Sequence, residues 1–138
     1  MIFKAALELF QERGFEETTA DQIAAKSQVS RGTFFNYFPY KEAVLIEYGA
    51  ELMDAAWEEA KRMLAAGREP LWVLRFFWDR LAELAEVELG PDLYARLAYE
   101  LLNPDPERAA YAYRKLPLAE RVAAVLAPLK EEGSFGRT

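Results

Sequence analysis

Residues Thr18 to Lys41 read TTADQIAAKSQVSRGTFFNYFPYK, and they spell two short capped helices joined by a tight turn. Thr19 is a good N-cap with Gln22 three residues on, so the pair can form a reciprocal capping box that satisfies two orphan amides. That helix is expected from about Ala20 to Ser27. Ser30 is a second N-cap, and the helix after it carries Arg31, Thr33, Asn36 and Tyr37 on one side and Phe34 and Phe38 on another. Ile23, Ala24, Val29, Phe34 and Phe38 supply an apolar anchor, while the opposite face offers side chains that hydrogen-bond base edges. This division of labour is that of a DNA-reading helix-turn-helix.

Upstream, Ile2, Ala5, Ala6, Leu9, Phe10 and Arg13 recur at helical spacing, and Gly14 is placed to end that helix in a left-handed turn. Three helices then pack into one unit. The segments AALELFQERGFEETT and QIAAKSQVSRGTFFNYF, followed by Lys41 and Glu42, resemble in order and spacing the N-terminal DNA-binding domain of TetR family transcriptional regulators over residues 2–47. By chemistry and family position, Arg31 and Asn36 are the candidates for base contacts: a guanidinium bridges guanine O6 and N7, and a carboxamide bridges adenine N6 and N7. Gly32 lets the backbone approach the duplex, and Thr33, Tyr37 and Lys41 are candidates for phosphate or sugar contacts. The caps Thr19 and Ser30 complete the candidate DNA-binding set, although capping alone also explains Thr19. Tyr40 fits a contact or a plain surface aromatic equally well.

Two departures from the family pattern stand out. Ser27 and Gln28 occupy the turn where Ala-Gly is usual, and a non-glycine residue in a left-handed conformation costs on the order of 1 kcal/mol. Phe35 stands where a phosphate-contacting tyrosine is common, so this position has no hydroxyl to donate.

The formal net charge of −6 argues at first against a nucleic-acid partner, since DNA affinity rests on Lys and Arg displacing counterions. Between Gln22 and Lys41, however, there is no Asp or Glu, while Lys26, Arg31 and Lys41 place three positive charges around the proposed recognition helix. Acidic residues gather at Glu8, Glu12, Glu16 and Glu17 and through the C-terminal two-thirds, where they would keep non-specific DNA binding weak. The sequence has no cysteine or histidine, which removes disulfides and the commonest acid-base, nucleophile and metal roles. Its serine hydroxyls are Ser27, Ser30 and Ser134. No enzyme, cofactor or metal is expected. With no run of about 18 apolar residues and no secretory h-region, a cytoplasmic protein without a membrane span is expected.

From Lys41 an amphipathic helix is expected to about Ala66, on the order of 35–40 Å long, running from the DNA into the rest of the protein. Gly49 in its interior suggests a close helix crossing or a bend, with close packing the preferred reading. Residues 67–70 mark a break, and Pro70 opens a helix to Leu89 whose apolar residues wrap nearly all round, as expected at the centre of a bundle. Gly90 and Pro91 open another helix, in which Arg96 and Glu100 form an i,i+4 pair. Asp105 caps a helix starting at Pro106 and ending near Leu116, and a last one runs from near Pro117 to end by Gly133.

The expected fold is therefore all-α: a three-helix DNA-binding domain over residues 1–42, joined by the long helix to a helical-bundle ligand-binding and dimerisation domain over residues 43–138. The second part resembles the TetR regulatory domain in architecture only. That resemblance implies a cavity with Trp57, Trp72, Phe76, Tyr94, Tyr99 and Tyr111 as candidate lining for a small, largely apolar or aromatic effector, with Arg75, Arg80 or Arg96 available to an acidic group. Each aromatic taken singly also fits ordinary core. Against the family, the short N-terminal arm and the last two helices, which build the dimer interface, are missing, so the regulatory domain is expected to be incomplete at its C-terminus or the dimer built differently. The leading expectation is a ligand-responsive homodimeric repressor on a palindromic double-stranded operator. The alternative is a helical protein-binding adaptor that keeps the helix-turn-helix only as a packing unit.

Overall fold

A computed structural model describes residues 2–131, with side chains to residue 129. The described residues form seven α-helices and no strand: α1 (Ile2–Arg13), α2 (Ala20–Lys26), α3 (Arg31–Tyr37), α4 (Lys41–Ala65), α5 (Pro70–Leu101), α6 (Pro106–Lys115) and α7 (Leu118–Glu131). The all-α expectation holds, and the expected end of the last helix by Gly133 lies outside the described residues.

Each boundary has a local chemical cause. α1 stops at Gly14, whose φ of 85° is a left-handed conformation, with its amide donating to Phe10 O at 2.9 Å. Thr19 and Gln22 form the reciprocal box: Gln22 N donates to Thr19 Oγ1 at 3.1 Å and Thr19 N to Gln22 Oε1 at 3.0 Å. α2 ends at Ser27, after which Val29 N donates to Ala24 O and Gln28 N to Ala25 O. This paired closure puts Gln28 at φ 61°, the left-handed position that the sequence fills without glycine. α4 closes in the same way on Gly67, at φ 84°. Glu69 then caps α5 through Leu71 N and Trp72 N, and Asp105 caps α6 through Glu107 N.

The three-helix head has a continuous core of Ala6, Leu9, Phe10, Ile23, Ala24, Phe34 and Phe38, which extends into α4 through Ala43, Val44 and Ile46. The buried hydroxyl of Thr18 ties the end of α1 to the start of α2 by donating to Gly14 O at 2.8 Å and Leu9 O at 3.2 Å. α4 packs along α5, where a Cβ on Gly49 would meet Leu97 Cδ2 at 2.7 Å, so the interior glycine does mark a close crossing.

The expected break after Leu89 is present: Gly90 (φ 80°, ψ 169°) is non-helical, so α5 consists of two helical segments that meet at a kink, the second opened by Pro91. One expectation is corrected here, because α5 is not wrapped on all sides. Val73, Phe77, Ala85 and Leu89 are buried, but Leu71, Trp72, Trp78 and Val87 are exposed. Among the described residues α4, α6 and α7 are its main packing partners, and they leave these four side chains exposed.

Candidate nucleic-acid interface

α3 is seven residues long and held from behind. Phe34 is fully buried and Phe38 nearly so, their rings 5.4 Å apart. With the helix locked on this side, Arg31, Gly32, Phe35, Asn36 and Tyr37 are exposed and Thr33 half-buried on the other. Ser30 Oγ accepts from Thr33 N at 3.0 Å and donates to Thr33 Oγ1 at 2.9 Å. The Thr33 hydroxyl therefore keeps its own proton for an outside acceptor. Gly32 has space in the free protein, since a Cβ there would meet nothing closer than Ser30 Oγ at 3.9 Å. No internal clash explains this glycine.

The positive charges are less free than the sequence implies. Arg31 pairs with Asp21 at 2.9 Å, and Lys26 pairs with Glu8 of α1 at 3.1 Å. Lys41 donates to Phe15 O at 2.8 Å and sits over the Phe15 ring, 4.3 Å from its centroid. The acid-free window begins one residue after Asp21, and Glu8 reaches it from another helix, so the bare sum of three cations overstates the local potential. Thr19, at the N-cap of α2, is exposed, and its hydroxyl serves the capping box.

At the start of α4 lies a charged junction that the sequence did not reveal. Arg96 of α5 reaches Glu16 at 3.3 Å and Glu42 at 3.1 Å, and Arg108 of α6 reaches Glu42 at 3.1 Å and Glu100 at 3.5 Å. The expected Arg96–Glu100 helix pair does not form, because both side chains find partners across helices instead. Burial pushes the Glu42 carboxyl up, but its backbone hydrogen bond and the two arginines outweigh burial and hold it below its usual value. Glu100 is completely buried. Arg108 also lies over the Tyr40 ring, 3.9 Å from the centroid, which places Tyr40 inside the junction.

The six candidate ligand-lining aromatics do not converge on one cavity. Trp72 and Phe76 stack 5.5 Å apart in an open groove of about 250 Å³ shared with Arg75 and Arg80. Tyr111 lines a different one, of about 590 Å³, beside Tyr40 and Arg108, and its hydroxyl donates to Glu47 at 2.9 Å. Trp57 packs edge-on to Phe77, while Tyr94 and Tyr99 are exposed. The three candidate arginines are already paired: Arg75 with Asp79, Arg80 with Glu59 and Glu83, Arg96 with Glu16 and Glu42.

Comparison with known proteins matches this architecture from end to end. Residues 2–48 match the family described as bacterial regulatory proteins, tetR family, and residues 50–137 match the C-terminal domain of TetR/AcrR family transcriptional repressors. An uncharacterized HTH-type regulator of Bacillus subtilis, YuxN, is 41% identical over 70 residues, covering 51% of this chain and 24% of that protein. The HTH-type regulator TcmR of Streptomyces glaucescens is 39% identical over 70 residues, covering 51% of this chain and 30% of that protein. The matched segment thus spans less than a third of either curated relative's length. Among solved structures, Thermus thermophilus FadR, a TetR family repressor in complex with lauroyl-CoA, is 54% identical with a TM-score of 0.88, covering 99% of this chain and 69% of that one. FadR of Bacillus halodurans, at 23% identity, shares the fold with a TM-score of 0.68, covering 98% of this chain and 72% of that one. With both halves matched in order, the chain belongs to the TetR family of transcriptional regulators.

Proposed function

We propose that this chain is the DNA-binding and effector-responsive part of a homodimeric repressor that sets α3 into the major groove of a palindromic operator. The observation that carries this reading is the two-sidedness of α3: Phe34 and Phe38 are locked inside while Arg31, Asn36 and Tyr37 face solvent from a Ser30-capped N-terminus. Arg31 and Asn36 read bases, and Thr19, Ser30, Gly32, Thr33, Tyr37 and Lys41 set the orientation on the backbone. A single helix-turn-helix covers too little DNA for strong selection, so two copies read related half-sites. The reading assigns the chain no catalysis and places it in the cytoplasm, in keeping with the finding that no described helix is long and apolar enough to cross a membrane.

The effector under this reading is a fatty acyl thioester, supported by the 54% identity to a repressor in complex with lauroyl-CoA. An acyl chain fits the apolar character of the open groove along α5 and α7, lined by Leu71, Leu74, Trp78 and Val122. Trp72 and Phe76 lie in the neighbouring groove on the same helix, and both grooves share Arg75 and Asp79. Release of DNA requires the ligand to favour the weak-binding arrangement by a few kcal/mol.

The test is selection of duplexes from a randomised pool by the full chain, followed by titration with lauroyl-CoA. Enrichment of a two-fold symmetric sequence that is released by the thioester supports the reading. Enriched DNA that stays bound at saturating lauroyl-CoA removes the effector, and no enrichment removes the DNA function. A helical adaptor is the second reading, favoured in that last case by the exposed Leu71, Trp78 and Val87 of α5.

A further inference from the structure

Asp21 of α2 is an acidic residue at the edge of a surface that would face a polyanion. It stands in the first turn of α2, where the helix dipole favours a negative charge, and that alone would explain it. Its geometry goes further. Arg31 Nη1 donates to both carboxylate oxygens, to Oδ1 at 3.1 Å and Oδ2 at 2.9 Å. The pair engages Nη1 alone, so the edge formed by Nε and Nη2 stays outside it. The Phe35 ring lies alongside, its centroid 5.4 Å from the guanidinium carbon.

An arginine next to DNA has two competing partners: the nearest phosphate, which attracts its full charge, and guanine O6 and N7, which need two parallel N–H donors. A free side chain samples many rotamers, and the phosphate is reached from most of them. An anchored one is different. A carboxylate that already neutralises the cation weakens the pull of the phosphate, and fixing Nη1 restricts the directions in which the remaining edge points. With side chains 70% and 59% exposed, the pair adds little to fold stability, and its geometry supports a role in orienting Arg31.

We propose that Asp21 is a specificity-determining positioning residue, which holds the Arg31 guanidinium beside Phe35 with its Nε/Nη2 edge outward so that Arg31 selects guanine in place of a phosphate. This rests on the reading of α3 as the recognition helix. Phe35 has no hydroxyl to offer a phosphate, and in this arrangement it serves as a flat side wall for the guanidinium.

The experiment compares the full-length wild type with Asp21→Ala, Asp21→Asn, Arg31→Ala and the Asp21→Ala/Arg31→Ala double variant in selections from one randomised duplex pool, with thermal unfolding run alongside. The wild type is expected to enrich guanine at one position per half-site, and Arg31→Ala to lose that preference alone. Asp21→Ala is expected to lower it on the order of fivefold or more. Its affinity for random duplex rises, because a negative charge has left the interface. Asp21→Asn falls between, and the double variant matches Arg31→Ala at that position. An Asp21→Ala variant that binds every sequence more tightly with guanine preference intact shows simple repulsion and overturns the inference. One that weakens all sequences equally shows a structural role and also overturns it. A wild type that enriches a motif independent of Arg31 sinks this inference and leaves the DNA-binding reading standing, whereas no enrichment at all sinks both.

Discussion

Gly49 of α4 and Leu97 of α5 meet side by side, with the glycine's missing Cβ replaced by Leu97 Cδ2, which would stand 2.7 Å from it. A glycine in a helix interior sacrifices about 1 kcal/mol relative to alanine, and here the close approach of two helices is what it permits. Gly49→Val inserts two methyl groups and a Cβ into an occupied space. The expected loss is about 1–3 kcal/mol, read as a shift of the urea midpoint at unchanged slope. Trimming Leu97 to Ala in the same chain should recover part of it, and no recovery would show that the strain lies elsewhere.

Asn36 is exposed on α3. Asn36→Ala should leave the fold unaffected and weaken binding to the selected duplex by about 1–3 kcal/mol, with affinity for random DNA nearly unchanged. Quantitative gel shifts on both duplexes check this. Equal losses on both would contradict a base contact.

Lys41 has a double engagement, with one proton donated to Phe15 O and its charge over the Phe15 ring. An ammonium has three donors, so two remain for a phosphate. Lys41→Ala is expected to weaken all sequences alike and to flatten the dependence of log K on log salt by about one unit. Because the contact with Phe15 is lost as well, thermal stability should fall, which Asn36→Ala does not produce. An unchanged salt slope would leave Lys41 with the structural role only.

Glu42 gives an acid-side signature. Its folded carboxyl lies below the usual 4.5, so its contribution to stability is complete above 4.5 and is lost as pH falls through the lower folded value. Denaturant midpoints measured from pH 7 down to pH 3 should therefore drop steeply below about pH 4.5. Glu42→Gln should be less stable at neutral pH, since Arg96 and Arg108 each lose a charged partner, and should show a shallower acid limb. Parallel curves for the two proteins would mean that other carboxylates carry the transition.

The sequence made the helix boundaries legible because their causes are local. Thr19 with Gln22, Ser30 with Thr33, Asp105 with Glu107 and the left-handed Gly14 act within a few residues of themselves, so spacing alone exposes them. Gln28 was legible for the same reason, as the one turn position whose conformation L-residues resist. The junction was not. Arg96 to Glu42 is a contact across 54 positions, and the helical i,i+4 rule offered Glu100 as a nearer partner that the packing then gave to Arg108. Likewise the pairing of Arg31 with Asp21 spans ten positions and depends on how α2 crosses α3. The scattered aromatics failed for a related reason: helical spacing shows that a residue is apolar-facing but not which neighbour it meets.

Arg96 holds Glu16, in the loop before α2, and Glu42, in the first turn of α4, with the same guanidinium. The loop and the root of the long helix are thereby knotted to one side chain beyond the Gly90 bend. A displacement of that distal arm would load both attachments together.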